Sequence, residues 1–489
     1  TISRYCLPTA MTDNKHADED ILRRVAIDRS TRLPVLFFFT SAAVWLTVAV
    51  ILGFIQSVKF YAPGFLDAPW LFFLNYGRSN PAFMGALVYG WAIQAGIGVA
   101  IWLMARLCRA EVKNPLTLVV VGHFWNLGVL IGVVGIFAGY GTSMEWLAFP
   151  KAVWPILLGA YSLIVVWLIT MFLRREPGEV YISVWYILGA CFWFPWVYIT
   201  ANVFIHVLPG AAVAKAATNA WFLSSMIFLV LAPLGLASAY YFIPKILGRP
   251  VYSSQLGRIG FWGLAILGGW TGIQKLMGGP LPAWMPAVSG VAVILMLVPI
   301  LAIAINHHMT LKGNHNLIET SPTMRFTAVG TLAFTVFCLL SALCAFFSFG
   351  KFTQISQTTT AFQLLAVYGF FSLTIFGAIY FIVPRLVGRE WVSGSRIQMH
   401  FWFSTYGIVA LVGLHFIGGI WQASAYAQFD APLENAVSAG RPYAIGVSVA
   451  WLSIVISNLI FLHHLGLMVL RCGRRDENPA LLGHQRHVA

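Results

Sequence analysis

Apolar stretches of twenty or more residues recur from one end of this chain to the other, and no other feature narrows its possible folds so far. At 1.5 Å rise per residue, ~20 helical residues cross the ~30 Å hydrocarbon core of a bilayer. Twelve spans are predicted, at approximately residues 33–58, 80–106, 115–139, 151–174, 182–208, 217–246, 257–277, 286–306, 325–350, 361–387, 397–420 and 443–471. The composition agrees: with 9% charged side chains, 489 residues could not cover the surfaces of the roughly three soluble domains that ~150 residues per domain would give. The expected fold class is all-α, a polytopic membrane protein.

The first 32 residues contain no apolar core of signal-peptide type and form a mixed-charge arm with Asp18, Glu19, Asp20, Arg23, Arg24, Arg29 and Arg32. The chain is therefore divided into an arm (1–32), a twelve-helix membrane domain (33–471) and a tail (472–489). Of the 30 Lys and Arg, 23 fall on the side of the N-terminus and 7 on the other. Positive loops are retained in the cytoplasm, so both termini are expected inside. The net charge of +14 is thereby read as attraction to anionic lipid rather than to nucleic acid. The six cysteines form no C-x-x-C and no C-x-x-C-H, so neither a thiol-redox motif nor a covalent c-haem attachment is present.

Three segments resemble one another at a constant spacing: Ala100 to Glu111 (AIWLMARLCRAE), Ala239 to Pro250 (AYYFIPKILGRP) and Ala378 to Glu390 (AIYFIVPRLVGRE), with starts 139 residues apart. They mark the inner ends of spans 2, 6 and 10, so the repeat unit is four helices and the spans form three groups of four. Gly128, Gly132, Gly135 and Gly139 on span 3 permit close helix contact, within the bundle or with a partner subunit. Every Asp and Glu can be placed outside the spans. Ion-coupled carriers usually hold a carboxylate in the hydrocarbon, so a carboxylate-relayed transporter is disfavoured.

These residues resemble a known family. The strings GRSNPAFMGALVYGWAIQAGIGVAIWLMARLC, GLASAYYFIPKILGRPVYS, IGFWGLAILGGWTG with GGPLPAW, and VYGFFSLTIFGAIYFIVPRLVGREW on spans 2, 6, 7 and 10 resemble subunit I of haem-copper oxidases, nearest the cbb-type branch, over about residues 33 to 471. The resemblance implies three four-helix arcs. It also implies a low-spin haem held between spans 2 and 10, a high-spin haem on span 10, and copper held by spans 6 and 7. Carried onto this chain, the haem-ligand positions are Phe83, Phe362 and Leu364, and the copper-ligand positions are Ser224, Gln274 and Lys275. The branch's cross-linked tyrosine matches Gly268. There is no histidine from 208 to 306, from 316 to 399, or on span 2. The resemblance implies the fold while the residues deny its chemistry, since Phe and Leu cannot ligate iron and Ser and Gln are poor ligands.

Of the twelve histidines, His16, His315, His484 and His487 lie in loops or tails, and His307 with His308 ends span 8. His123, His206, His400, His415, His463 and His464 remain, each expected to pack or to lie at an interface. His463 and His464 point ~100° apart on a helix, so they do not share a ligand. Lys275 is expected either to snorkel outward or to place its ammonium where the copper would be.

The resulting expectation is a non-catalytic, cofactor-less homologue of oxidase subunit I, an integral scaffold of a respiratory or electron-transfer complex in a bacterial inner membrane. No catalytic residue is assigned. Its partners would be other membrane subunits, such as cytochrome c subunits or an active oxidase paralogue, with no nucleic acid. Two alternatives stand beside it. One is a terminal oxidase or nitric oxide reductase subunit with an altered ligand set, including haem b on surviving histidines; the other is a proton or small-solute conduit.

Overall fold

The computed structural model describes residues 9–354, 356–428 and 432–474, with side chains from residue 19 onward except at 433. Residues 1–8 of the arm and 475–489 of the tail, with His484 and His487, lie outside the described residues. Among those described, the chain is all-helical apart from one isolated bridge between Glu390 and Arg474. Helices satisfy their own backbone polar groups, which a lipid environment demands.

The spanning helices are α1 (Thr9–Tyr61), α2 (Tyr76–Leu107), α3 (Pro115–Phe137), α4 (Trp154–Leu173), α5 (Ile182–Val207), α6 (Ala212–Leu247), α7 (Ser254–Leu267), α8 (Trp284–Leu311), α9 (Pro322–Cys344), α10 (Thr358–Val387), α11 (Gly394–Tyr426) and α12 (Leu433–Val469). Eleven are long and apolar enough to cross a membrane; α7 is the exception. The span expected over 257–277 is α-helical only to Leu267, then tightens into 3₁₀ turns at Gly268–Trp270 and Ile273–Leu276. Gly272 between them has φ +112°, and a Cβ there would lie 2.3 Å from the carbonyl oxygen of Ala220 on α6. Only glycine lets the chain turn here against α6, which is why the last turns of this span leave the helix.

The most apolar windows of α2, α6 and α10 are wholly buried, whereas those of the other long spans are 39–61% buried. Three helices thus form an inner core and the rest surround it, as the four-helix repeat requires. The repeat is also in the backbone. Each core helix widens into a π-type stretch, at Ala86–Ile93, Met226–Leu231 and Leu365–Ser372, whose starts are 140 and 139 residues apart. At the C-terminal ends of these helices the repeated aromatics meet: Trp102 stacks on Phe242 at 6.2 Å, and Phe242 meets Phe381 at 5.0 Å. Gly248 and Gly388 then end α6 and α10 in the left-handed conformation.

The glycines of α3 face their own chain. Added Cβ atoms at Gly128, Gly132 and Gly135 would meet Leu157, Phe149 and Pro150 at 2.4–2.8 Å. The span 3 stripe therefore packs within the bundle. α1 continues unbroken across residue 32, so the arm and the first span share one helix.

Candidate functional site

Phe362 and Leu364 are two residues apart on α10 and so point ~200° apart. Leu364 is wholly buried in the core, while Phe362 faces Phe337 of α9 and Phe416 of α11, with ring centroids at 6.3 and 6.0 Å. Phe83 of α2 is also wholly buried and meets Trp451 of α12 edge-on at 5.2 Å. The indole in turn presses on α1, where a Cβ at Gly53 would fall 2.8 Å from the ring. Phe83 and Phe362, both at positions matched to haem ligands, therefore do not fill one volume together. They lie in two compartments, and a tryptophan not singled out in the sequence closes the first.

The second compartment is open. A cavity of about 440 Å³ is bounded by α6, α9, α10 and the broken end of α7, and Ser224, Gln274, Lys275 and Phe362 all line it. Four of the six positions matched to metal ligands are thus brought to one cavity. Their polar atoms are partly committed. Ser224 Oγ and Thr271 Oγ1 share a hydrogen bond of 2.7 Å, and Gln274 Oε1 accepts from Gly272 N and Ser289 Oγ, both at 2.6 Å. Lys275 is half-buried, and among the described residues no carboxylate lies within ion-pair distance of it. It therefore lines the pocket but donates no hydrogen bond to Ser224, Ser225 or Gln274. Glu145, exposed at the rim, accepts from Gln363 Nε2 at 2.6 Å, and its backbone exchanges hydrogen bonds with the Asn219 amide. At Gly268 a Cβ would come within 2.7 Å of the Leu229 side chain, which would have to shift for any larger residue.

The surviving histidines pack elsewhere. His400 Nδ1 bonds the Tyr380 hydroxyl at 2.8 Å, with Phe326, Phe376 and Phe461 at 5.1, 4.5 and 4.8 Å around its ring. His415 Nδ1 meets Gln357 Oε1 at 3.2 Å, and His464 Nε2 accepts from Ser393 N at 3.4 Å. His123 bonds the Val119 carbonyl and His307 packs on Tyr240. His463 is exposed while His464 is buried, as their ~100° separation requires. Among the described residues, no three His, Cys, Asp or Glu side chains converge as a metal site would need.

The profile of the family "Cytochrome C and Quinol oxidase polypeptide I" matches residues 33–449, most of the chain. This chain belongs to that family. Among its relatives, a cytochrome c oxidase subunit 1 homolog of Agrobacterium tumefaciens (strain T37) is 26% identical, over 90% of this chain and 83% of the relative. A cbb3-type cytochrome c oxidase subunit CcoN1 of Stutzerimonas stutzeri is 25% identical, over 79% and 82%. In structure it is similar to a chain of a heme-copper terminal oxidase dimer, with TM-score 0.71, 14% identity and coverage of 89% of this chain and 84% of that one. The subunit I fold, with its cbb-type likeness, is therefore established for a multi-pass membrane protein.

Haem and copper are the groups that such a fold implies, and the residues here do not fit them. The haem positions offer only carbon. At the copper positions stand a hydroxyl already bonded to Thr271, an amide oxygen already accepting two hydrogen bonds, and an ammonium, which has donors but no lone pair. The backbone keeps the family's form all the same. Each π-type stretch begins within three residues of a matched position, at Phe83, Ser224 and Leu364. Such widenings are common beside functional sites.

Proposed function

We propose that this subunit I homologue is a non-catalytic scaffold, without haem or copper of its own, in a respiratory or other electron-transfer complex of a bacterial inner membrane. The observation that carries the reading is the pairing of Phe83 with Trp451. Two large buried rings occupy the space beside a matched haem position, on helices that otherwise keep the family's arrangement. Close packing of these two rings leaves no haem-sized gap in this compartment. The bacterial relatives and the excess of basic residues on one side support the location and cytoplasmic termini. Exposed rings such as Trp262, Trp402 and Trp421 offer faces to lipid or to other membrane subunits, including cytochrome c subunits or an active paralogue.

The test is pyridine-haemochrome and metal analysis of the purified chain. Less than stoichiometric haem and copper is expected; one haem per chain with a Soret band overturns the reading. The cavity beside Lys275 favours one second reading, a small-solute conduit. Flux through the purified chain in liposomes would support it.

A further inference from the structure

We propose that the cavity beside the broken end of α7 binds a monocarboxylate amphiphile, with its head group on Lys275 and Gln274 and its alkyl chain running inward. The inference rests on the reading that this space holds no haem or copper.

The polar end is rich in donors. Lys275 has no anion within ion-pair distance among the described residues. The Gln274 oxygen is occupied and its amide NH₂ donates to no described residue, so Lys275 and Gln274 both present hydrogen-bond donors to the cavity. Glu145 acts on Lys275 only across the cavity, so the ammonium has no directly paired anion, and a carboxylate that accepts from both groups offsets the cost of withdrawing it from water. The inner end is apolar: Leu223, Ile227, Phe228, Val293, Phe337 and Phe362 line it. A volume of about 440 Å³ lies within the range of small-molecule sites.

Entry is from the outer side. An adjoining cavity of about 660 Å³ shares Lys275, Leu276, Ala216 and Gln354 with the first, and is lined by exposed Gly278, Gly279, Pro280 and Lys351. Lys351 adds positive charge there. Glu145 on the rim opposes a second negative charge near Lys275, so a single carboxylate is favoured over a phosphate monoester.

The experiment uses the full chain in nonionic detergent and the fluorescent fatty acid cis-parinaric acid. Saturable binding near one per chain is expected, weakened about tenfold or more by Lys275→Met and retained by Lys275→Arg. The methyl ester of the probe should bind weakly and equally to both proteins. Because Lys275→Met can fail to fold, Leu223→Trp provides a second arm: it fills the apolar end and should block binding with the lysine intact. Equal affinity of wild type and Lys275→Met, equal affinity of acid and ester, or displacement by dioleoylphosphatidylglycerol more readily than by oleate would each overturn the proposal. An absorbance spectrum of the same sample separates the two readings. A stoichiometric Soret band defeats the cofactor-less reading, whereas absent acid binding without that band defeats this inference alone.

Discussion

At position 451 a single indole decides what the space between α1, α2 and α12 can hold. Phe83 and Trp451 are both essentially inaccessible, and their edge-on contact suits aromatic quadrupoles. Restoring imidazoles alone should therefore not restore haem. The double variant Phe83→His, Leu364→His is expected to purify without a Soret band, and addition of Trp451→Ala is the change that opens room for a porphyrin. Stoichiometric haem in the double variant would show that Trp451 is no obstacle. Trp451→Ala by itself should destabilise the fold by about 3 kcal/mol, the scale for deleting a buried aromatic, as read from unfolding in detergent. Gly53→Ala should also destabilise it, because the new methyl would meet the same ring at 2.8 Å.

Among the elements, α7 and the N-terminal part of α1 carry the testable behaviour. Gly272→Ala combines a left-handed backbone with a contact of 2.3 Å to a carbonyl oxygen, a strain of about 1–3 kcal/mol or more. It should lower thermal stability in detergent and should also weaken the carboxylate site, since the Gln274 side chain is held by the Gly272 amide. On the side of the bundle where α1 begins, Arg23 and Arg109 both reach Glu176 in the turn between α4 and α5, the second at 3.2 Å. The hydrogen bond from Arg23, with the two guanidinium charges, holds the Glu176 carboxyl below the usual carboxylate range. Stabilisation from this clip is present above the ordinary value of ~4.3 and is lost as pH falls through the lower folded value. The group is exposed, so the effect should be local. Protection from hydrogen exchange along residues 19–32, relative to the intrinsic rate at each pH, should fall at neutral pH in Glu176→Gln, and in the wild type only once the medium drops below the ordinary carboxylate range. Equal exchange in the two proteins at neutral pH would show that the clip does not hold α1.

For the molecule as a whole, a chain of this family without ligands of its own is expected to act by binding. Extraction from native membranes in mild detergent should bring down other subunits at fixed stoichiometry; a stable monomer without companions would count against the scaffold reading. Much of the fold was legible in the chain. Span length and the 139-residue recurrence follow from rise per residue and repeat packing, and they located α2, α6 and α10 before any contact was known. The early end of α7 was only partly legible: Gly268, Gly269 and Gly272 weaken the segment as a helix, but the approach of Gly272 to Ala220 that fixes the turn is a tertiary contact. By itself the sequence determined that a membrane bundle must form and which six positions carry no imidazole, because hydropathy and ligand chemistry belong to each residue separately. The tertiary structure alone decided that Phe83 meets Trp451 and that Phe362 opens onto the cavity of Ser224, Gln274 and Lys275. Those outcomes depend on which faces of distant helices are brought within a few ångströms, and no property of one segment contains that.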